Sequence, residues 1–359
     1  MMKRKMMAAV LTMAMAAAMI GGCGNSTDTS NAGNSTNTTE SSADAADTAK
    51  DTAQNTADKT VYKVGIVQYV DDASLNQIAQ AVKDELDAKG KELGVTFDYA
   101  DYTYNGQADS STLNQIAADL VAEGVDVIIP IATPAAMIMQ NATEDNQIPV
   151  VFSAVSDPES AGLVAGNDAP GANITGTSDA LNTNAILDLM FVANPDIKSV
   201  GLLYSQSEDS SKQPIADAKA YLEEKGIDYV EKTGTNNTEV AQAADALIAA
   251  GVDAVFTPTD NTVMTAELAI YEKFIEAGIP HYCGADSFAL NGAFCGYGVD
   301  YAKLGVETAD MVVEVLQGAD PAATPVKTFD NGIATVNTET AEALGIDYSG
   351  FAEKCTGVV

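Results

Sequence analysis

The chain is poor in the side chains on which many enzymes and nucleic-acid-binding proteins depend. Its 359 residues include no tryptophan and one histidine, and 18 Lys and Arg stand against 51 Asp and Glu, for a formal net charge of -33. So negative a chain makes nucleic acid and anionic membrane surfaces poor partners. The lack of tryptophan limits stacking surfaces but leaves Tyr and Phe to pack against a ring.

Sequence motifs for common catalytic chemistry are absent as well. The chain has no P-loop, no G-x-G-x-x-G pattern and no G-x-S-x-G pattern, and its cysteines show no metal-binding spacing. His281 lies in an apolar, strand-like run, where packing or a satisfied hydrogen bond explains it. A hydrolase using Asp157, Asp260 and Asp286 is a weaker alternative, since carboxylates are common in so acidic a chain. We therefore expect no enzyme, no metal and no cofactor.

The first residues form a targeting segment and not part of the fold. Lys3, Arg4 and Lys5 precede an apolar run from Met6 to Ile20, which is shorter than a typical membrane-spanning helix. The run ends in Ile20-Gly21-Gly22-Cys23, which resembles the lipobox of bacterial lipoproteins. An ordinary signal peptide containing a cysteine is the alternative. We predict a signal peptide over residues 1–22, lipidation of Cys23, and a mature protein anchored at the extracytoplasmic face of the cell membrane.

A polar tether follows the lipidated cysteine. Residues 24–60 are almost entirely Ser, Thr, Asn, Ala, Asp and Gly, with no aromatic residue and no Leu, Ile, Val or Met. Such a segment cannot bury enough apolar surface to offset the entropy of ordering, so residues 23–60 are predicted to be a disordered, lipid-anchored tether. Removing residues 1–22 takes away three positive and no negative charges, which moves the formal charge from -33 to -36.

Beyond the tether, short apolar runs alternate with amphipathic helical stretches, which is typical of an α/β fold with mostly parallel sheets. A helix is expected from about Leu75 to Leu93 and another over Tyr301 to Leu316. The apolar runs lack alternation, as expected for strands covered by helices on both faces. These runs are residues 61–67, 125–131, 148–152, 199–204, 252–256 and 279–283.

The second half of the chain repeats the first. The sequence at residues 123–128, Glu-Gly-Val-Asp-Val-Ile, recurs 127 positions later as Ala-Gly-Val-Asp-Ala-Val, and Ile148-Pro149 recurs as Ile279-Pro280. Such a repeat predicts two lobes of the same architecture. We predict a first lobe of residues 61–176 plus 298–325 and a second of residues 177–297 plus 326–359, joined by a three-strand hinge. For Cys283 and Cys295, the sequence allows either a disulfide or two buried free thiols.

Ligands of open parallel sheets bind beyond the carboxyl ends of the strands, where these lobes would face each other. Loops there carry hydroxyl, amide and carboxylate groups beside Tyr or Phe. Thr133 and Thr257 precede helices and can hold a carboxylate, and carboxylates such as Asp260 can hold an ammonium. Helix capping is the alternative for Thr133, Ser156 and Asp260. The predicted ligand-binding residues are Gln68, Tyr69, Thr133, Pro134, Ser153, Ser156, Asp157, Tyr204, Thr257, Asp260, Asn261 and Asp286.

Several loop motifs lie at residues 65–69, 111–117, 131–136, 153–158 and 257–263. In this order they resemble the ABC-transporter substrate-binding lipoprotein family whose characterised members take up aromatic amino acids. The resemblance implies a type I periplasmic-binding-protein fold of two Rossmann-like lobes, with a membrane permease and a cytoplasmic ATPase as partners. We expect an extracytoplasmic protein that captures a small solute, favouring an aromatic amino acid. The alternatives are a tethered ligand sensor of the same fold and a binding protein for a sugar or nucleoside.

Overall fold

The computed structural model describes residues 60–329 and 332–359. Within these residues the chain forms two seven-stranded sheets, one in each of two α/β lobes, which confirms the predicted fold class. The predicted signal peptide, the lipidated Cys23 and the tether through residue 59 lie outside the described residues. No helix in the described part of the chain is long and apolar enough to cross a bilayer.

The first lobe contains a wholly parallel sheet with the strand order β12-β6-β5-β4-β1-β2, in which β3 also pairs with β1. Elements are numbered along the chain. The strands are β1 (Val61–Gln68), β2 (Thr96–Asp98), β3 (Thr103–Asn105), β4 (Val127–Ile131), β5 (Val150–Phe152), β6 (Ile174–Ser178) and β12 (Lys327–Thr328). The helices are α1 (Ala73–Leu93), α2 (Ser110–Glu123), α3 (Thr133–Thr143) and α9 (Tyr301–Leu316).

The second lobe contains a sheet with the strand order β14-β13-β11-β10-β9-β7-β8, parallel except between β11 and β13. Its strands are β7 (Ser199–Tyr204), β8 (Asp228–Thr233), β9 (Ala254–Thr257), β10 (His281–Cys283), β11 (Cys295–Gly298), β13 (Ile333–Val336) and β14 (Gly357–Val358). Its helices are α4 (Thr183–Ala193), α5 (Asp209–Lys225), α6 (Asn237–Ala250), α7 (Asn261–Glu276), α8 (Asp286–Leu290) and α10 (Thr338–Leu344).

The internal repeat appears as equivalent elements of the two lobes. Helix α6 begins and ends 127 residues after α2, and β9 begins 127 residues after β4. Both helices end at a glycine in the left-handed region, Gly124 with φ 60° and Gly251 with φ 71°, a conformation that glycine adopts without a Cβ clash. Each lobe therefore uses the same unit to place a strand beside the space between the lobes.

Three connections join the lobes, because the chain changes sheet after β6, after β11 and after β12. Residues 330 and 331 of the third connection lie outside the described part. The strands before these connections end at Ser178 (β6), Gly298 (β11) and Thr328 (β12). The lobe borders after residues 176, 297 and 325 stay predictions. Strand β12 extends the first sheet by pairing with Thr177 and Ser178, which composition alone does not reveal.

Candidate functional site

A cavity lies between the lobes, where the ends of the parallel strands face each other. It contains about 420 Å³ of space free of protein atoms, including its opening to solvent. The first lobe contributes residues that follow β1, β4 and β5, and the second lobe contributes the starts of α5, α7 and α8. The connecting segments add Asp179 and Tyr301. Two of the three connections between the lobes thus contribute to a site that both lobes form together.

One part of the cavity is built from carboxylates. The Oδ1 atom of Asp72 caps α1 by accepting from the amides of Ser74 (3.0 Å) and Leu75 (3.2 Å), while its Oδ2 atom is buried without a hydrogen-bond partner among the described residues. Asp179 accepts from Ser156 Oγ at 3.0 Å. None of the cavity's described lining residues is a Lys, Arg or His. A cationic group of a ligand would therefore supply the positive charge that the described lining lacks.

Burial controls the protonation of both carboxylates. Asp179 is only 6% exposed, and burial raises its pKa to about 6 despite the hydrogen bond from Ser156. Burial also raises the pKa of Asp72, while the amides at the start of α1 act in the opposite direction. A nearby positive charge would therefore stabilise the ionised form of both carboxylates.

The N-terminus of α3 provides an anion-binding element in the same cavity. Ala132 and Thr133 line the cavity, and no described side chain caps the helix. Unpaired amides at a helix start and the helix dipole together favour a carboxylate. Ala132 (φ 81°) and Ala154 (φ 55°) adopt left-handed backbone conformations at the ends of β4 and β5, a strain of about 1–3 kcal/mol each that is typical of functional sites.

Apolar side chains complete the lining. Leu75 comes from the first lobe, Met264 and Phe288 come from the second, and Tyr301 begins α9. Phe288 is 1% exposed, and its ring lies edge-on to that of His281 with a centroid separation of 6.2 Å. This part of the cavity offers a fixed, apolar surface to a ligand side chain.

A second pair of buried carboxyl groups lies at the start of α7. Asp260 accepts from Ser205 N (2.6 Å), Ser211 Oγ (2.7 Å) and Val263 N (2.9 Å), so the protein itself satisfies this carboxylate. Glu208 is 4% exposed, and its pKa is raised by burial and by the charge of Asp260. Asn261 donates to it at 3.2 Å. Capping of α7 is the main role that the structure gives Asp260.

Four of the predicted ligand-binding residues line the cavity: Thr133, Ser156, Asp260 and Asn261. Ser156 also reaches the other lobe, since its hydroxyl lies 3.0 Å from Thr259 Oγ1. Asp72, Asp179, Ser210 and Tyr301 were missing from the prediction. Asp72 was within reach of sequence reasoning, because it directly precedes a predicted helix at the end of β1, whereas Asp179 and Tyr301 carry no such signal.

The remaining predicted residues do not line this cavity. Gln68 donates to Val70 O and to Asn76 Oδ1, both at 2.7 Å, and Ser153 bonds Thr308 Oγ1 at 2.9 Å beneath the site. Others cap or brace nearby elements: Tyr204 donates to Glu231 (2.6 Å), Thr257 donates to Leu203 O (2.9 Å), and Asp157 accepts from Ser160 N (3.0 Å). Half-buried Tyr69 and Pro134 lie beside the lining, and Asp286 bonds residues of the opposite lobe.

The structure also answers the cysteine question. Cys283 on β10 is in register with Gly296, and Cys295 on β11 is in register with Tyr282. Residues in register share a face of the sheet and successive residues alternate, so the two thiols lie on opposite faces. Both are buried and free.

His281, as expected, is a packed core residue, with Nε2 2.8 Å from Thr257 Oγ1 and Nδ1 3.1 Å from Glu267 Oε1.

Comparison with known proteins gives a consistent result. Residues 63–354 match the family model described as ABC transporter substrate binding protein. A tyrosine-binding protein of Clostridioides difficile (strain R20291) is 31% identical over 343 residues, which cover 95% of this chain and 92% of that protein. An ABC domain from Streptococcus pneumonia in complex with L-Trp is 32% identical with a TM-score of 0.77, covering 83% of this chain and 99% of that one.

A third similar structure is described as open and ligand-free. The ligand-free, open structure of a substrate-binding protein with adhesive properties from Clostridium difficile is also 32% identical, and the match covers 83% of this chain and 99% of that one. Its TM-score is 0.63, lower than that of the L-Trp complex at the same identity. The direct hydrogen bonds between the lobes agree with a closed arrangement in the present structure.

Proposed function

The chain belongs to the ABC transporter substrate binding protein family, and from that premise we propose that its interlobe cavity captures a free amino acid, with an aromatic side chain favoured. The closed, loaded protein then delivers the amino acid to a membrane permease driven by a cytoplasmic ATPase. Members of this family bind small solutes outside the cytoplasm and are not enzymes, which confirms the expectation that the chain has no catalytic activity.

The main support for the proposal is that one cavity contains both groups that suit a cation and groups that suit an anion. The Oδ2 atom of Asp72, which has no hydrogen-bond partner in the described part of the chain, and the carboxylate of Asp179 suit an ammonium group. The start of α3, which no described side chain caps, suits a carboxylate. A free α-amino acid carries these two groups on one carbon atom. A neutral sugar or nucleoside would leave the buried carboxylates without a counter-charge, which costs binding free energy.

Preference for an aromatic side chain is supported by the apolar lining and by the relatives. Phe288 and Tyr301 can pack against a ring, with Leu75 and Met264 beside them. The curated relative is named for tyrosine, and the structure from Streptococcus holds L-Trp. Closure excludes water from both ligand ends, so the ligand stabilises the closed form by contacts that the open form cannot make.

Membrane attachment is the second part of the proposal. The basic start, the apolar run and the sequence Ile20-Gly21-Gly22-Cys23 support lipidation of Cys23 after removal of residues 1–22. The polar residues 24–60 would then hold the lobes at a distance from the membrane while allowing them to reach the permease. A permease cannot import a solute unless the loaded protein can dock on it, so this attachment serves delivery.

The test uses isothermal titration calorimetry of the purified protein with matched ligands. L-Tyr, L-Phe and L-Trp should bind, whereas tyramine, which lacks the carboxylate, and 3-(4-hydroxyphenyl)propionate, which lacks the amine, should not. Glucose and adenosine serve as the non-zwitterionic comparison. Binding of a sugar or nucleoside in place of the amino acids would overturn the ligand assignment.

A pair of neighbouring variants tests the carboxylate. Asp72→Asn removes the charge but keeps an oxygen that can cap α1, and it should weaken amino-acid binding by roughly thirtyfold or more, as expected for loss of a buried charge partner. Asp71→Asn changes an exposed carboxylate one residue away and should leave affinity unchanged. Equal affinities of the two variants would show that Asp72 only caps its helix.

A further inference from the structure

A second contact between the lobes lies beside the cavity and shares Ser74 and Ser287 with its lining. Asp286, at the start of α8 in the second lobe, accepts from two side chains of α1 in the first lobe. Its Oδ1 atom accepts from Ser74 Oγ, and its Oδ2 atom accepts from Gln77 Nε2 at 2.9 Å. The amide of Ser287 in turn donates to Ser74 Oγ at 3.3 Å. We call this set, Ser74, Gln77, Asp286 and Ser287, the closure contact.

The closure contact can exist only while the lobes are together. Its donors and acceptors belong to different sheets, and residues 74 and 286 are 212 positions apart in the chain. Both oxygens of Asp286 are used by the protein, so no ligand is needed to satisfy this carboxylate. Asp286 also lies between the starts of α1 and α8, where a negative charge is favourable. Opening the cleft exchanges these bonds for bonds to water.

We propose that Asp286 is an affinity-setting residue that acts through closure: with Gln77 it raises the population of the closed form before any ligand arrives. The apparent affinity for a ligand then depends on that population. The ligand binds the closed form, so the open fraction of the protein lowers the apparent affinity. This extends the proposed binding function by assigning a source of affinity outside the cavity, and it gives Asp286, one of the predicted ligand-binding residues, a role that acts through lobe closure.

The size of the effect follows from the bonds that are lost. A hydrogen bond to a charged group has a larger net value than a neutral one, so losing those made by Asp286 should weaken apparent affinity roughly ten- to a hundredfold. Loss of Gln77 removes one of these bonds and should have a smaller effect in the same direction. Neither residue lines the cavity, so a direct ligand contact would not explain a matching pair of effects.

The experiment measures closure without ligand. Spin labels at the exposed positions Ala118 in the first lobe and Ala249 in the second, attached through a non-cysteine handle, report the interlobe distance by double electron–electron resonance. Asp286→Ala and Gln77→Ala should each shift the ligand-free distribution toward longer distances. The exchange Gln77→Glu with Asp286→Asn again places a donor opposite an acceptor and should restore the short distances. Asp109→Ala, at an exposed helix cap of the first lobe, is the control.

Two outcomes decide the proposal. Longer ligand-free distances in both single variants, with recovery in the exchange, support it. Unchanged ligand-free distances in both variants refute it, even if affinity falls, because Asp286 would then act on the ligand itself. Failure of every amino acid to bind would overturn the proposed ligand but not the distance measurement, so the two proposals fail separately.

Discussion

Asp179 allows a direct test of whether a buried carboxylate in the cavity lowers the stability of the ligand-free protein. It is buried at the end of β6, with a pKa raised to about 6 from 3.8 by burial. The native protein therefore binds the proton of the Asp179 carboxyl group more tightly than the unfolded chain does. The stabilisation it gives is fully present below pH 3.8 and is lost as pH rises through 6, so the ionised carboxylate opposes folding at neutral pH.

The magnitude follows from the shift. A change from 3.8 to about 6 is roughly two pKa units, each equivalent to 1.36 kcal/mol, so the ionised group costs about 3 kcal/mol above pH 7. Asp179→Asn keeps an oxygen that can accept from Ser156 Oγ but removes the charge. We expect the ligand-free variant to be up to about 3 kcal/mol more stable than the wild type at pH 8 and about equal at pH 4. The same variant should lose affinity for an amino acid.

Urea denaturation of the ligand-free protein at pH 4, 6 and 8 provides the measurement, with Asp71→Asn as the exposed control. A stability gain that is absent at pH 8, or that is the same at pH 4 as at pH 8, would refute the reasoning. Calorimetry adds an independent check, because ligand binding below pH 6 should release the Asp179 proton. The observed enthalpy there should vary with the ionisation enthalpy of the buffer, and it should not do so at pH 8.

Three further predictions concern packing, thiols and attachment. Phe294→Ala should destabilise the protein by about 3–5 kcal/mol in denaturant titrations, since its buried ring packs against Tyr282 and Phe351 in the second lobe. Burial raises the pKa of the Cys283 and Cys295 thiols, so mass-mapped alkylation should modify them only after urea is added. Cys23→Ser should move the protein from the membrane fraction to the supernatant; continued membrane association would contradict lipidation.

Much of the architecture was predictable because it depends on local pattern. The uninterrupted apolar runs indicated strands covered on both faces, and the 127-residue offset predicted two equivalent units, as α2 and α6 confirm. Several strands were not predicted, among them β2, β3, β6 and β8. Strand β6 reads Ile-Thr-Gly-Thr-Ser and is entirely buried, while β8 is polar and half-buried, so neither has the apolar composition that signals a strand. Pairing of β6 with β5 and β12, and of β8 with β7, fixes their place in the sheets.

The site was predictable only in outline. Sequence placed the binding loops beyond the strand ends, and Thr133, Ser156, Asp260 and Asn261 do line the cavity. It could not distinguish a carboxylate available to a ligand from one satisfied by the protein. Asp260 has three protein donors, whereas Asp72 keeps one buried oxygen without a described partner.

The sequence by itself determined the α/β class, the two-lobed repeat and the acidic, histidine-poor character that argues against catalysis, because these depend on composition and on neighbouring residues along the chain. Only the tertiary structure decided which groups converge on the cavity, why Cys283 and Cys295 cannot pair, and that Asp286 meets Ser74 across the cleft. These facts depend on the register of strands and on the approach of residues far apart in sequence. Hydrogen bonding and burial, which decide the state of each carboxylate, arise only after that approach.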